Sequence, residues 1–423
     1  MNFFQKDLET LSQDAIINMQ NERLAKTIRY VYDKNPVYRE KMQEKGIAPE
    51  DIRSIDDLKH LSFTGKEDFR KHYPLGLCCV EKSALREIHT SSGSTGTPVV
   101  NAYTDNDRKQ WAECMARCYA MAGLKPGDTI QITPSFGLFN GGFGFFHGAA
   151  EQGLFVIPTG AGNTPRQVKL MKDFQVKAFG AVVSYALRII EHLEEQNIEA
   201  IPSLKIGIFG AEIFSDMMRK KIENALDIET FDIFGMTETG GVGTTGMDCP
   251  DHSGIHVWED HYIVEIIDPE TGEHVEDGEE GEIVFTSLTR EAIPVIRFRT
   301  SDASKILSRE KCACGRTHTK IDRIKGRLDD MLIIKGVNVF PKQIEHVLLE
   351  IPGVRSHYQI IIEEEEGIRD ITIHVEVEPG VTGYMVEKHL KEALGFSPKG
   401  DVFPPNALPR SPGKQQRVVF KKK

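Results

Sequence analysis

Residues 177–210 read KAFGAVVSYALRIIEHLEEQNIEAIPSLKIGIFG, with two short apolar runs, KAFGAVVS and LKIGIFG, on either side of ALRIIEHLEEQ, whose apolar residues recur at helical spacing. Strand, helix, strand is the unit that builds a parallel sheet, because a parallel neighbour is reached only through a crossover long enough to hold a helix. The same alternation runs upstream. TIQITP and GLFVIPTG are strand candidates, and RKQWAECMARCYAMAGL and RQVKLMKDF are helix candidates. From His89 to about Gly210 the chain is therefore expected to form a sheet of parallel strands under helical cover. This is an α/β architecture that holds ligands beyond the carboxyl ends of its strands.

The flanks differ in character. Residues 1 to about 75 read as short amphipathic helices, whereas 255–308 carry short strands joined by Asp-Pro and Gly turns, as in antiparallel hairpins. After KGRLDDMLIIKG come a helix (FPKQIEHVLLEI), two strands (SHYQIIIEE and DITIHVEVEPG) and a second helix (YMVEKHLKEALG), the make-up of a small α+β unit. A chain of 423 residues exceeds one comfortable core, so a large domain (1–327) and a small one (328–423) are expected, with mixed or parallel sheets in the first. Glu363 to Glu366 read as a solvated hairpin tip and Lys421 to Lys423 as a frayed tail.

Composition narrows the function classes. Apolar residues make up 40% and charged residues 27%, as in an ordinary folded protein. A net charge of -11 opposes broad nucleic-acid binding. The first thirty residues lack the pattern of a secretory signal and no apolar run approaches the ~20 residues that span a bilayer, so a cytoplasmic address without membrane contact is expected. Seven cysteines at low density argue against a disulfide framework.

Chemistry gathers in four stretches. HTSSGSTGTPVV (89–100) offers Gly93 and Gly96 to turn backbone amides toward one point, with hydroxyls from Ser91, Ser92, Ser94, Thr95 and Thr97; the lysine of a Walker A loop is absent. FDIFGMTETGG (231–241) presents Phe234 as a flat face, Thr237 as a hydroxyl and Glu238 as a carboxylate suited to magnesium. In RFRTSDASKI, Asp302 follows a strand and suits two ribose hydroxyls. KGRLDDMLIIKGVNVFP then leads to LPRSPGKQQRV, where Ser-Pro-Gly sets Lys414 in a defined pose.

In this order and spacing the four segments resemble the adenylate-forming superfamily of acyl-CoA synthetases, nonribosomal adenylation domains and luciferases, and most closely its phenylacetate-CoA ligase branch. ERLAKTIRYVYDKNPVYREKM, LSFTGKEDFRKHYPLG, SFGLFNGGFGFFHGA and IFGAEIFSDMMRKKIE extend the likeness over nearly the whole chain. The resemblance implies that Ser91 to Thr97 bind the β and γ phosphates of ATP, with Ala211, Glu212, Asp232, Phe234, Gly235 and Met236 around the adenine. It further implies that Thr237 touches the α-phosphate, Glu238 holds Mg2+, Asp302 and Arg327 grip the ribose with Arg323 nearby, and Lys414 lies at the reacting centre. Asp329 would be the hinge on which the small domain swings, and Gly336 would let the backbone pass close to coenzyme A. Thr97 stands where many relatives have lysine, and Phe234 where tyrosine is frequent.

SFGLFNGGFGFFHGA holds Phe136, Phe139, Phe143, Phe145 and Phe146 among five glycines, a composition read as room for a flat ligand. Phe136, Phe139 and Phe143 with Tyr185 are the candidate walls of an aryl-acid pocket. Cys249, Cys312 and Cys314 with one imidazole match structural Zn2+ in ligand type, although one residue separates the last two thiols instead of the usual two to four. The branch's Cys-x6-His pattern favours His256 over His252 and His318. Cys78, Cys79, Cys114 and Cys118 read as packing. The expected activity is an AMP-forming aryl-acid CoA ligase working through an acyl-adenylate, with a homodimer left open. Two rivals are transfer to another acceptor, such as a carrier protein or deazaflavin cofactor, and an inactive zinc-stabilised binding protein.

Overall fold

The structure, a computed structural model, describes residues 2–91, 97–212, 214–324, 326–328, 332–334, 337–339, 341–365, 368–394, 398–409 and 417–422. A nine-stranded sheet organises the larger part. Its order is Ile306–Ser308, Lys320–Ile321, Ile255–Val257, Gly246–Asp248, Glu229–Phe234, Ile206–Gly210, Ala178–Val182, Thr129–Ile132 and Phe155–Ile157. The five strands from Glu229–Phe234 to Phe155–Ile157 are parallel and the remaining four run antiparallel, so the sheet is mixed. Within the parallel part alternate residues face opposite sides. Ile130, Ile132, Ile206, Ile208, Phe231 and Ile233 pack with Trp111 and Met115 of the helix Asp105–Met121. Phe179, Ala181 and Phe209 pack with Leu187, Ile190 and Met218 of two helices on the other face.

The hairpin region expected over 255–308 divides between two sheets. Ile255–Val257 and Ile306–Ser308 extend the large sheet, while Tyr262–Ile267, Gly281–Ser287 and Phe298–Ser304 form a four-stranded sheet with Gly326–Arg327. The amino-terminal helix Gln13–Lys34 runs 22 residues, capped by the Ser12 hydroxyl, and buries Leu24, Ile28 and Val31 against Ile263, Leu288 and Ile296.

The carboxy-terminal part has the expected helices Pro341–Glu350 and Gly383–Leu394 against the hairpin Val354–Glu365 and Ile368–Val377, plus strands Lys399–Phe403 and Val418–Lys422. The last strand corrects the frayed-tail reading. It pairs in parallel with Val354–Glu365, with Lys421 in register with Glu363 and Lys422 with Glu364. No helix among the described residues is long and apolar enough to cross a membrane.

Candidate active site

The turn after the strand Glu229–Phe234 carries Thr237 and Glu238, both buried. It is held from two directions. Asn101, on the strand Val100–Tyr103 that leaves the glycine-rich loop, donates to the carbonyls of Thr237 (2.6 Å) and Glu238 (3.2 Å). Asn140, at the start of the helix Asn140–Gln152, donates to Thr237 Oγ1 at 2.9 Å and accepts from the Val242 amide at 3.2 Å. Behind Asn101, the buried Arg290 donates to Asn101 Oδ1 and the Ala102 carbonyl, each at 3.1 Å, and lies over the Tyr103 ring. Among the described residues the Glu238 carboxylate makes no hydrogen bond, and its backbone carbonyl accepts from Asn101.

The ends of the glycine-rich loop are clamped together. Ser91 N donates to the Val99 carbonyl, and Val99 N donates to Ser91 Oγ, both at 2.9 Å. Thr97 is exposed, its carbonyl near Arg70. Ser92, Gly93, Ser94, Thr95 and Gly96 lie outside the described residues, as do Asp329, Gly336 and Lys414.

Asp302 and Arg327 face each other across an antiparallel ladder, with Arg327 Nε 3.9 Å from the Asp302 carboxylate. Phe234 packs on Phe285 with ring centroids 6.0 Å apart, and Met236 joins the same cluster. Gly235 leaves no room for a side chain, because an added Cβ would fall 2.2 Å from the Gly241 carbonyl. Ala211 has φ +64°, a strained conformation for a residue with a side chain, at the carboxyl end of the strand Ile206–Gly210. Next to it the Glu212 carboxylate accepts from Ser184 N (2.7 Å) and Ser184 Oγ (2.8 Å). The Asp232 amide donates to Asp248 at 2.7 Å. Arg323 pairs with Asp216 at the start of the helix Asp216–Leu226.

The aromatic candidates separate. Phe136 and Phe143 meet edge to face at 5.5 Å, with Phe146 6.3 Å from Phe136. Phe139 stands 51% exposed before the helix, and Phe145 is core at 2%. Tyr185 packs with the cluster on the opposite face of the sheet, its hydroxyl 3.5 Å from Thr164 Oγ1. Two of the five glycines of this segment are helix-packing positions. Added Cβ atoms at Gly144 and Gly148 would fall 2.5 Å from Trp111 and 2.1 Å from Met115, so these glycines let two helices approach and do not open space for a ligand.

Sequence reasoning missed a polar group beside those rings. His89 is 2% exposed, and its ring packs among Tyr103, Trp111 and Phe143. Burial alone would raise the Glu87 carboxyl, but His147 at 3.2 Å and His89 at 3.6 Å bring it down to about 2. Asn101, Asn140 and Arg290 were missed as well. Of these only Asn101 left a signal, a polar residue inside the apolar run VVNAY.

The cysteine candidates converge. Sγ of Cys249, Cys312 and Cys314 and a ring nitrogen of His256 all lie within 4.8 Å of one another, and all four residues are buried. His256 presents Nε2 to Cys314 Sγ at 3.4 Å, while its Nδ1 is 3.1 Å from the His318 carbonyl, the outer contact that orients a ligating imidazole. Cys249, and behind it His256, hold the Cys314 thiol far below the ordinary thiol range. His252 turns away to Asp248 and Arg219, and His318 to the carbonyls of Val257 and Leu8. Cys114 and Cys118 are core, and Cys78 and Cys79 border other apolar clusters.

The chain is similar to known proteins in sequence and fold. The family model described as AMP-binding enzyme matches residues 8–289, and that of the AMP-binding enzyme C-terminal domain matches 336–422. The chain is 38% identical to a phenylacetate-coenzyme A ligase of Thermus thermophilus over 99% of both chains. It is 39% identical to one of Pseudomonas putida over 98% of this chain and 96% of the other. A 2-hydroxyisobutyryl-CoA ligase crystallised in the postadenylation state superposes with a TM-score of 0.91 at 25% identity, covering 98% of this chain and 91% of that one. The same ligase in the thioesterification state gives 0.74 at 26% identity, covering 99% and 92%.

Proposed function

We propose that this chain, which belongs to the AMP-binding enzyme family and is an AMP-forming acid–thiol ligase, activates phenylacetate or a close aryl relative with ATP and Mg2+ and passes the acyl group from an acyl-adenylate to coenzyme A. The observation that carries this reading is that Asn101, on the strand leaving the glycine-rich loop, holds the carbonyls of Thr237 and Glu238, so the loop and that turn are joined at one place. A carboxylate attacking the α-phosphorus brings two anions together, so the site must supply positive charge and fixed donors. Glu238 is the residue to hold Mg2+. Thr237 donates to the α-phosphate, the 91–97 loop takes the β and γ phosphates, and Lys414 meets the developing charge. Phe234, with Ala211, Glu212, Asp232, Gly235 and Met236, bounds the adenine, and Asp302, Arg327 and Arg323 serve the ribose.

Phe136 and Phe143 line the acid pocket in this reading. The relatives named as phenylacetate-coenzyme A ligases, at 38–39% identity over nearly full length, support the aryl acid. Residues 328–423 form the lid, turning at Asp329 to bring Gly336 to the thiol. Ser356 Oγ donates to Glu191 of the large domain at 2.8 Å. That contact, with the higher TM-score to the postadenylation state, supports reading this pose as the one that precedes thiol attack. The four converging thiol and imidazole donors suit a structural Zn2+.

The test is direct. With ATP, Mg2+ and phenylacetate the protein should release pyrophosphate, and added coenzyme A should yield the thioester. Absence of pyrophosphate release across a panel of aryl acids overturns the reading.

A further inference from the structure

The Thr237 hydroxyl has one proton, and the contacts of Asn140 bear on where it points. Asn140 reaches the catalytic turn with both ends of its amide. One end faces the Val242 backbone N–H, which can only donate, so that end must be the amide oxygen. The opposite end, 2.9 Å from Thr237 Oγ1, is then the NH2 group and donates to the hydroxyl. With a lone pair of Oγ1 occupied by Asn140, the threonine proton is directed outward to another acceptor. A phosphate oxygen is such an acceptor, having no proton to give in return.

We propose that Asn140 is a positioning residue for adenylate formation, setting Thr237 as a hydrogen-bond donor toward the α-phosphate. The assignment rests on the reading of Thr237 given above. Asn101 completes the device from the backbone side, since its amide holds the Thr237 and Glu238 carbonyls and its own oxygen is held by Arg290. The hydroxyl is thus fixed in place by one asparagine and in polarity by the other.

The experiment separates the two half-reactions in the full-length protein. Asn140→Leu keeps the size of the side chain and removes its hydrogen bonds. Asn140→Asp keeps the acceptor for Val242 and offers Thr237 a second acceptor, which turns the threonine proton inward. Both variants should lower acid-dependent ATP–pyrophosphate exchange roughly 10- to 100-fold, the size expected for a hydrogen bond to a charged group. Thioester formation from synthetic acyl-adenylate and coenzyme A should stay within about 3-fold, which also reports that the variants fold. In a Thr237→Val background, Asn140→Leu should add less than about 3-fold. An equal fall in both half-reactions, or an undiminished effect of Asn140→Leu without the threonine hydroxyl, overturns the assignment. If the unsubstituted chain shows no exchange with any acid, the functional reading falls and this assignment with it. If the unsubstituted chain exchanges and Asn140→Leu does so equally well, the assignment alone fails.

Discussion

Replacing Gly235 with alanine tests how rigidly the catalytic turn must be held. The added Cβ would lie 2.2 Å from the Gly241 carbonyl oxygen, 2.7 Å from the Gly243 nitrogen and 3.0 Å from the Val242 carbonyl carbon, all backbone atoms of the turn itself. Real Cβ contacts essentially never fall below 3.0 Å, so something must move by at least about 0.8 Å, the difference between 3.0 and 2.2. The turn has little freedom to yield. Gly241 N donates to the Met236 carbonyl, Gly240 N to the Thr237 carbonyl, and Trp111 Nε1 to the Val242 carbonyl, while a Cβ at Gly241 would itself fall 2.3 Å from the Trp111 ring. The displacement therefore passes to Thr237 and Glu238. Overpacking of this kind costs about 1–3 kcal/mol in stability, and a misplacement near 1 Å in a reacting site costs on the order of 100-fold in rate. Gly235→Ala should lower acid-dependent pyrophosphate exchange on the order of 100-fold and lower the denaturant midpoint. Gly137→Ala, whose Cβ meets nothing within 4 Å, should change neither. Exchange by Gly235→Ala within about 3-fold of the unsubstituted protein would refute the idea that this turn positions the reacting groups.

Four further outcomes are expected. Lys414→Ala should abolish most adenylate formation while ATP binding, read by calorimetry, largely survives. Asp260→Asn leaves Arg117 buried without the charge it now meets at 2.7 Å through two nitrogens, and should cost about 3–5 kcal/mol in denaturant unfolding. His252, raised to about 9 by Asp248 and Glu229, contributes stability that is fully present below pH 6.5 and is lost as pH rises through 9; His252→Asn should remove about 1–3 kcal/mol at pH 6 and flatten the alkaline slope. Cys314→Ser should reduce the zinc in purified protein from about one equivalent per chain and lower the thermal midpoint, read by elemental analysis and calorimetry.

Much of this arrangement was legible in the chain. KAFGAVV and LKIGIFG are apolar runs because both faces of their strands are covered, and a continuous run survives reading without knowledge of its neighbours. Gly246–Asp248 was not legible. Three residues carry no period, and its place in the large sheet comes from pairing with Glu229–Phe234 on one side and Ile255–Val257 on the other. The strand Val418–Lys422 was missed because its lysines suggest solvent, yet its backbone pairs in parallel with Val354–Glu365. Two glycines of FNGGFGFFHG were visible but read for another role. Gly144 and Gly148 stand four apart on one helix face, the spacing of a close helix contact, and the surrounding phenylalanines drew the reading toward a pocket.

The asparagines were hidden for a deeper reason. A catalytic carboxylate or lysine is marked by its charge, whereas Asn101 and Asn140 act through the direction of an amide, which no residue pattern records. Their support is costly. Arg290 and Asp107 are buried with Asn101, and Asp107 accepts from the amides of Thr104, Glu291 and Ala292, so the strand Val100–Tyr103 and the 290–292 segment meet through desolvated polar groups. Apolar side chains of the same volume would stabilise such a core at least as well, since buried charges lose hydration that their partners only partly return. What apolar packing cannot supply is a fixed direction for two carbonyls. Asn101 makes hydrogen bonds to both, Arg290 fixes Asn101, and the Thr237–Glu238 peptide is oriented before any nucleotide arrives. Orientation completed during folding does not have to be paid again in the transition state, so on the proposed reading the polar core beneath this turn serves catalysis through the direction it gives these carbonyls.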